Sequence, residues 1–147
     1  MAVLEDFQNA PRESLLRISW QRAERAVVVH AEGEVDLSTV AELESGLGAA
    51  RDAATPPDHL VADLAAVGFF AACGASILLD YHYQCTRRDT PLHVVAGLPV
   101  ARTLQLCHVD GVLTVFPALT GAVSRGRGAK RLRDAPDWPV DPLGSVE

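Results

Sequence analysis

Leu60-Val-Ala-Asp-Leu-Ala-Ala-Val-Gly-Phe-Phe-Ala-Ala-Cys-Gly-Ala-Ser-Ile-Leu-Leu-Asp-Tyr-His-Tyr83 is the stretch that decides the fold of this chain. Leu60 to Leu64 is a short apolar run that suits a buried strand, with Asp63 near its end. Ile77, Leu78, Tyr81 and Cys85 then recur at helical spacing, so the period changes from strand to helix within the stretch. The small residues Ala71-Ala72-Cys73-Gly74 are expected to form the turn between the two. The first amides of a helix lack intrahelical partners. Small side chains leave such amides open to a neighbouring group or an anion.

Upstream, Leu15 to Trp20 reads as a first strand, Gln21 to Arg25 as a polar turn, and Ala26 to Glu32 as a second strand rich in β-branched residues. So short a connection favours an antiparallel pair. His30 is expected to be a strand residue near the sheet edge, not a ligand. Gly33-Glu34-Val35-Asp36-Leu37-Ser38-Thr39 reads as a strand end running into a helix start. Thr39-Val40-Ala41-Glu42 fits a capping box, in which hydroxyl and carboxylate each satisfy an orphan amide. Ser38 is an alternative cap. Val40, Leu43 and Leu47 share one helical face. Gly46 and Gly48 each weaken that helix by about 1 kcal/mol relative to Ala. A loop marked by Pro56-Pro57 follows, over Asp52 to Asp58.

Downstream, the helix fades around Arg87-Arg88 and Thr90-Pro91 breaks it. Leu92 to Ala96 is a strand, Val100, Leu104 and Cys107 mark a helix reaching about His108, and Val112 to Phe116 is a last short strand. Ala118 to Val123 forms a short helix at most. Helix follows strand three times, which predicts an α/β sandwich. Right-handed crossovers would place the helices on one side of a mostly parallel sheet, made mixed by the antiparallel first strand.

The chain has 147 residues, enough for one domain with tails. Residues 1–12 are expected to be a flexible leader, 13–123 the domain, and 124–147 a disordered tail. In that tail Arg125, Arg127, Lys130, Arg131 and Arg133 form a basic cluster, followed by Pro136, Pro139 and Pro142. A solvated tail is the simplest reading, although such a cluster can also touch an acidic partner. The hydrophobic fraction is 48%, which supports a real core. The net charge is −6 and the folded part shows no basic face, which argues against nucleic acid as a direct partner. The N-terminus carries Glu5 and Asp6 where a secretory leader would be basic. No apolar run reaches membrane-spanning length. The three cysteines are expected to be reduced thiols in the cytoplasm.

No pattern for an enzyme stands out. The turn has one glycine and neither Gly-x-Gly-x-x-Gly nor Gly-Lys-Ser, so a nucleotide cradle lacks support. Cys73, Cys85 and Cys107 are widely spaced without a Cys-x-x-Cys pair. His82 and Cys85 could share a helical face, but a zinc site needs more ligands. Buried small hydrophobe is the better reading for Cys85 and Cys107. Cys73 stands at a helix start, which favours a thiolate. No Lys, Arg or His lies within three residues of it, so a packing role outweighs a redox one. No metal, cofactor or catalytic residue is expected.

Two segments resemble one family. Ala62-Asp63-Leu64, Val67, Phe69, Phe70, Gly74, Ile77, Leu78 and Leu79 follow the signature of the STAS domains of anti-sigma-factor antagonists. Gly33-Glu34-Val35-Asp36 follows their motif before the first helix. The resemblance covers roughly Leu15 to Val123. It implies the STAS fold, and a partner-binding face around Asp36, Ser38, Thr39, Phe70, Ala71, Ala72, Cys73, Gly74 and Ser76. The expected partner is an anti-sigma factor of the serine-kinase type. The phosphorylation motif is degenerate. Ala71 stands where the family has Asp, Ala72 where many members carry the phosphorylated Ser, and Cys73 where a second Ser or Thr sits. Ser76 is one helical turn further on and a poor substitute. The resemblance thus implies an antagonist not switched at this position. The alternative is an adaptor or decoy module that has lost antagonist activity.

Overall fold

Val27, Val29 and Ala31 point to one side of their strand and Ala26 and Val28 to the other, and both sets are buried. The sheet therefore carries cover on both faces. The computed structural model describes residues 15–123. The leader expected over 1–12 and the tail expected over 124–147 lie outside them.

The strands are β1 (Leu16–Ala23), β2 (Ala26–Val35), β3 (His59–Phe70), β4 (Leu92–Ala96) and β5 (Thr114–Phe116). The helices are α1 (Val40–Ala53), α2 (Ala72–Arg87), α3 (Leu98–Leu106) and α4 (Leu119–Val123). The five strands lie in the order β1-β2-β3-β4-β5. β1 pairs antiparallel with β2, and every later pair is parallel. The mixed, mostly parallel sheet is the one expected from the sequence.

Leu43 and Leu47 of α1, Leu78 of α2, and Val100 and Leu104 of α3 join Val29, Leu60, Leu64 and Val94 in one core on one face. Burying each such side chain fully contributes about 1.5–3 kcal/mol. Ala122 of α4 packs on the opposite face with Val28, Val61, Val95 and Phe116. Gly46 has a packing role that its helix propensity hides. A Cβ there would lie 2.5 Å from Ile18 Cγ2, so the glycine lets α1 approach β1.

Three expectations are corrected. β3 runs on to Phe70, six residues past Leu64, because Glu34 and Val35 of β2 extend the ladder to Phe69 and Phe70. Helix α2 begins at Ala72, so Ala72, Cys73 and Gly74 belong to its first turn and not to a connecting loop. Thr39 precedes α1 but does not cap it through its side chain. Its hydroxyl donates to the Glu34 carbonyl at 2.9 Å and accepts from the Asp36 amide at 3.0 Å. The strand end leaves those two backbone groups in need of partners, and that need takes the hydroxyl from the helix. His30 is a strand residue one strand in from the edge, as expected, and its Nδ1 lies 2.9 Å from Asp63 Oδ2.

Candidate functional site

The parallel register sets Val35 beside Phe70, and the amide of Ala71 donates to the Val35 carbonyl at 2.8 Å. The segment leaving β2 and the segment entering α2 therefore start from the same end of adjacent strands. Asp36, Leu37 and Ser38 follow the first, and Ala71, Ala72 and Cys73 follow the second.

On the β2 side, the Asp36 carboxylate accepts from the Ser38 hydroxyl at 2.7 Å and from the Ser38 amide at 2.9 Å. The Ser38 hydroxyl and then its amide hold the Asp36 carboxyl below the usual carboxylate range. This local turn is self-contained and lifts Leu37 outward, where its side chain is 83% exposed.

On the α2 side, Ala71 has an extended backbone and a side chain that makes no cap bond. The Gly74 amide donates to the Ala71 carbonyl at 2.9 Å and tightens the first turn. A Cβ at Gly74 would lie 2.7 Å from the Phe70 ring and 3.0 Å from Val35 Cγ1. Glycine thus allows α2 to start directly over the buried Phe70 ring. From α3, Thr103 Oγ1 donates to the Phe70 carbonyl at 2.6 Å and fixes the strand end from the far side.

These contacts sort the residues expected at a partner face. Ser38, Ala72 and Ser76 are exposed, and Asp36, Ala71 and Cys73 are half-buried. Phe70 is only 3% exposed and Thr39 only 4%, while Gly74 is buried. Those three shape the face from beneath and do not reach its surface. The exposed aromatic is Phe69, at 52%, because alternation along β3 turns neighbours to opposite sides. Leu37 and Phe69 are the exposed large apolar side chains next to these residues in the chain, and sequence reasoning did not single them out. Strict alternation from the buried Val67 would have turned Phe69 inward and Phe70 outward; the register shift between Gly33 and Glu34, which pair with Val67 and Phe69, reverses that.

Cys85 is fully buried in α2, and burial pushes its thiol up. Cys107 packs half-buried against the core. Among the described residues no group of three or more His, Cys, Asp or Glu comes together to hold a metal ion. None of the described helices is long and apolar enough to cross a membrane.

A mixed five-stranded sheet, three helices on one face and an exposed helix start beside a strand that ends in Gly-Glu-Val-Asp define a STAS domain. The STAS domain model matches residues 17–122, and the chain belongs to that family. It is 30% identical over 117 residues to the anti-sigma-F factor antagonist RsfA of Mycobacterium tuberculosis, covering 79% of this chain and 91% of the relative. The crystal structure of an anti-sigma factor antagonist from Mycobacterium paratuberculosis superposes with a TM-score of 0.68 at 31% identity. That match covers 76% of this chain and 94% of the other. The unphosphorylated anti-sigma factor antagonist SpoIIAA has the same fold, with a TM-score of 0.60 at 17% identity over 76% of this chain and 97% of its own.

Proposed function

We propose that this protein is an anti-sigma-factor antagonist whose docking face carries no removable charge. It occupies an anti-sigma factor of the serine-kinase type in the cytoplasm and so releases a sigma factor. It acts by binding, without catalysis and without a cofactor. The observation that carries this reading is the exposed methyl of Ala72 in the first turn of α2. The antagonist names of the relatives support the general role.

A phosphate at this helix start would add about −1.5 to −2 charge and oppose an apolar contact by desolvation and repulsion. A methyl group cannot accept one. Leu37 and Phe69 keep most of their apolar area available for burial against a partner, which is the main source of affinity at such a face. Binding is then governed by shape and abundance and not by a kinase reaction at residue 72.

The test is a calorimetric titration of the full chain against the host's kinase-type anti-sigma factors, with and without Mg-ATP, followed by intact-mass analysis. The expected result is binding that ATP does not abolish and no phosphate on the wild-type chain. Ala72→Ser is expected to take up one phosphate and then to lose at least about tenfold in affinity, or 1.4 kcal/mol. A phosphate on Ser76 of the wild-type chain would refute the locked state. Failure to bind any of these anti-sigma factors would instead favour an adaptor module.

A further inference from the structure

Two buried imidazoles converge on one carbonyl at the far end of the domain. His59 opens β3, and His93 lies in β4 next to it. His59 Nε2 and His93 Nδ1 are each 3.0 Å from the carbonyl oxygen of Ala122 in α4. The ring centroids are 4.6 Å apart, and the Phe116 ring lies 5.1 Å from that of His93. Both histidines are buried, at 3% and 8% exposure. A carbonyl only accepts, so both rings must present an N–H to it.

We propose that His59 and His93 form an acid-released latch, which holds α4 on the open face of the sheet while both rings are neutral and frees it on proton uptake. A proton on either ring leaves its N–H bond to Ala122 intact. What it adds is a charge in a pocket walled by Phe116 and the Val61 and Val95 cluster. Charging both rings would place two cations 4.6 Å apart. Opening the latch hydrates both and removes that cost.

The remaining charges around the latch can be named among the described residues. Asp58 precedes His59, and its carboxylate accepts from Arg22 and from the Thr55 amide. Glu24 and Arg25 form the turn between β1 and β2, and Glu24 lines a hollow with Leu119, Thr120 and Val123 of α4. Asp63, further along β3, is paired with His30. α4 and β5 carry no ionisable side chain, and β4 carries only His93. Burial, opposed by the Ala122 bond and aided by His59, lowers the pKa of His93 below the ordinary 6.5. The closed form therefore binds fewer protons than the open one. Closure is favoured above pH 6.5 and weakens as pH falls below it. Release would uncover Val61, Val95 and Phe116.

Hydrogen exchange of the full chain, corrected for intrinsic rates, tests this between about pH 7.5 and pH 5.5. Protection of the 119–123 amides is expected to fall about tenfold if opening binds one proton, and up to about a hundredfold for two. Protection of α1 should hold over the same range. In the double variant His59→Gln and His93→Gln, side-chain amides still donate to Ala122 but do not titrate, so the dependence should vanish. A flat profile in the wild type, or an unchanged profile in the double variant, overturns the latch. Should that variant fail to fold, proton NMR of the wild type decides. The Ala122 methyl should shift together with the two histidine titrations, and a methyl that stays fixed while both titrate overturns the proposal.

Discussion

Thr103 Oγ1 donates to the carbonyl of Phe70 across 2.6 Å, tying helix α3 to the last residue of β3. That bond lies directly before the first turn of α2, so a residue outside both sequence motifs holds the candidate docking face in place. Thr103→Val keeps the shape and removes the donor. The expected cost is about 1–2 kcal/mol in a denaturant titration. Hydrogen exchange should rise at the start of α2 and not in α1.

Phe69 and Phe70 are expected to behave oppositely. Phe70 is buried under α2, and truncation to Ala should cost about 3–5 kcal/mol. Phe69→Ala should stay within about 0.5 kcal/mol of the wild type in stability. It should nevertheless lose at least about tenfold in affinity for the anti-sigma factor, as should Leu37→Glu. Parallel stability and titration measurements separate the two effects. Unchanged binding in both surface variants would remove them from the docking face.

Ala71 occupies the N-cap position of α2 with extended backbone and no side-chain acceptor. An acidic cap there would accept from an amide of the first turn and face the positive end of the helix dipole. Ala71→Asp should therefore raise stability by about 1 kcal/mol, read as a higher denaturation midpoint at unchanged slope. A lower midpoint would show that the new carboxylate is not aligned with the helix amides.

Asp58 gives the fold a defined acid sensitivity. The Thr55 amide holds its carboxyl below the usual 3.8, burial opposes that, and Arg22 adds to it. A depressed folded pKa contributes stability that is present above 3.8 and lost as pH falls through the folded value. Asp58→Asn should cost about 1–2 kcal/mol at neutral pH. Its stability should also fall less steeply than that of the wild type below about pH 4, in urea titrations at stepped pH. Equal slopes would exclude Asp58 as a source of the acid dependence.

Local pattern carried most of the architecture. The period change from Leu60–Leu64 to Ile77–Cys85 and the strand–helix repeats at Leu92 and Val100 were enough to predict a mixed, mostly parallel sheet with three helices on one side. Burial follows spacing when an element has one apolar side, so those assignments needed no knowledge of neighbours. The Ala72 substitution was equally legible, because its meaning depends on the side chain alone.

Only the tertiary structure decided which side chains form the face. Thr39 reads as a cap, yet the end of β2 claims its hydroxyl. Phe70 reads as a contact residue, yet a two-residue extension of the ladder by Glu34 and Val35 turns it inward and Phe69 outward. His59 and His93 are 34 positions apart and carry no shared motif, yet the parallel register of β3 and β4 brings both to one carbonyl of α4. For Phe70 and the two histidines the partner is a backbone group supplied by a distant segment, and for Thr39 it is the end of the preceding strand. Sequence periodicity reports the direction of a side chain along its own element, and it holds no record of which foreign amide or carbonyl will be waiting there.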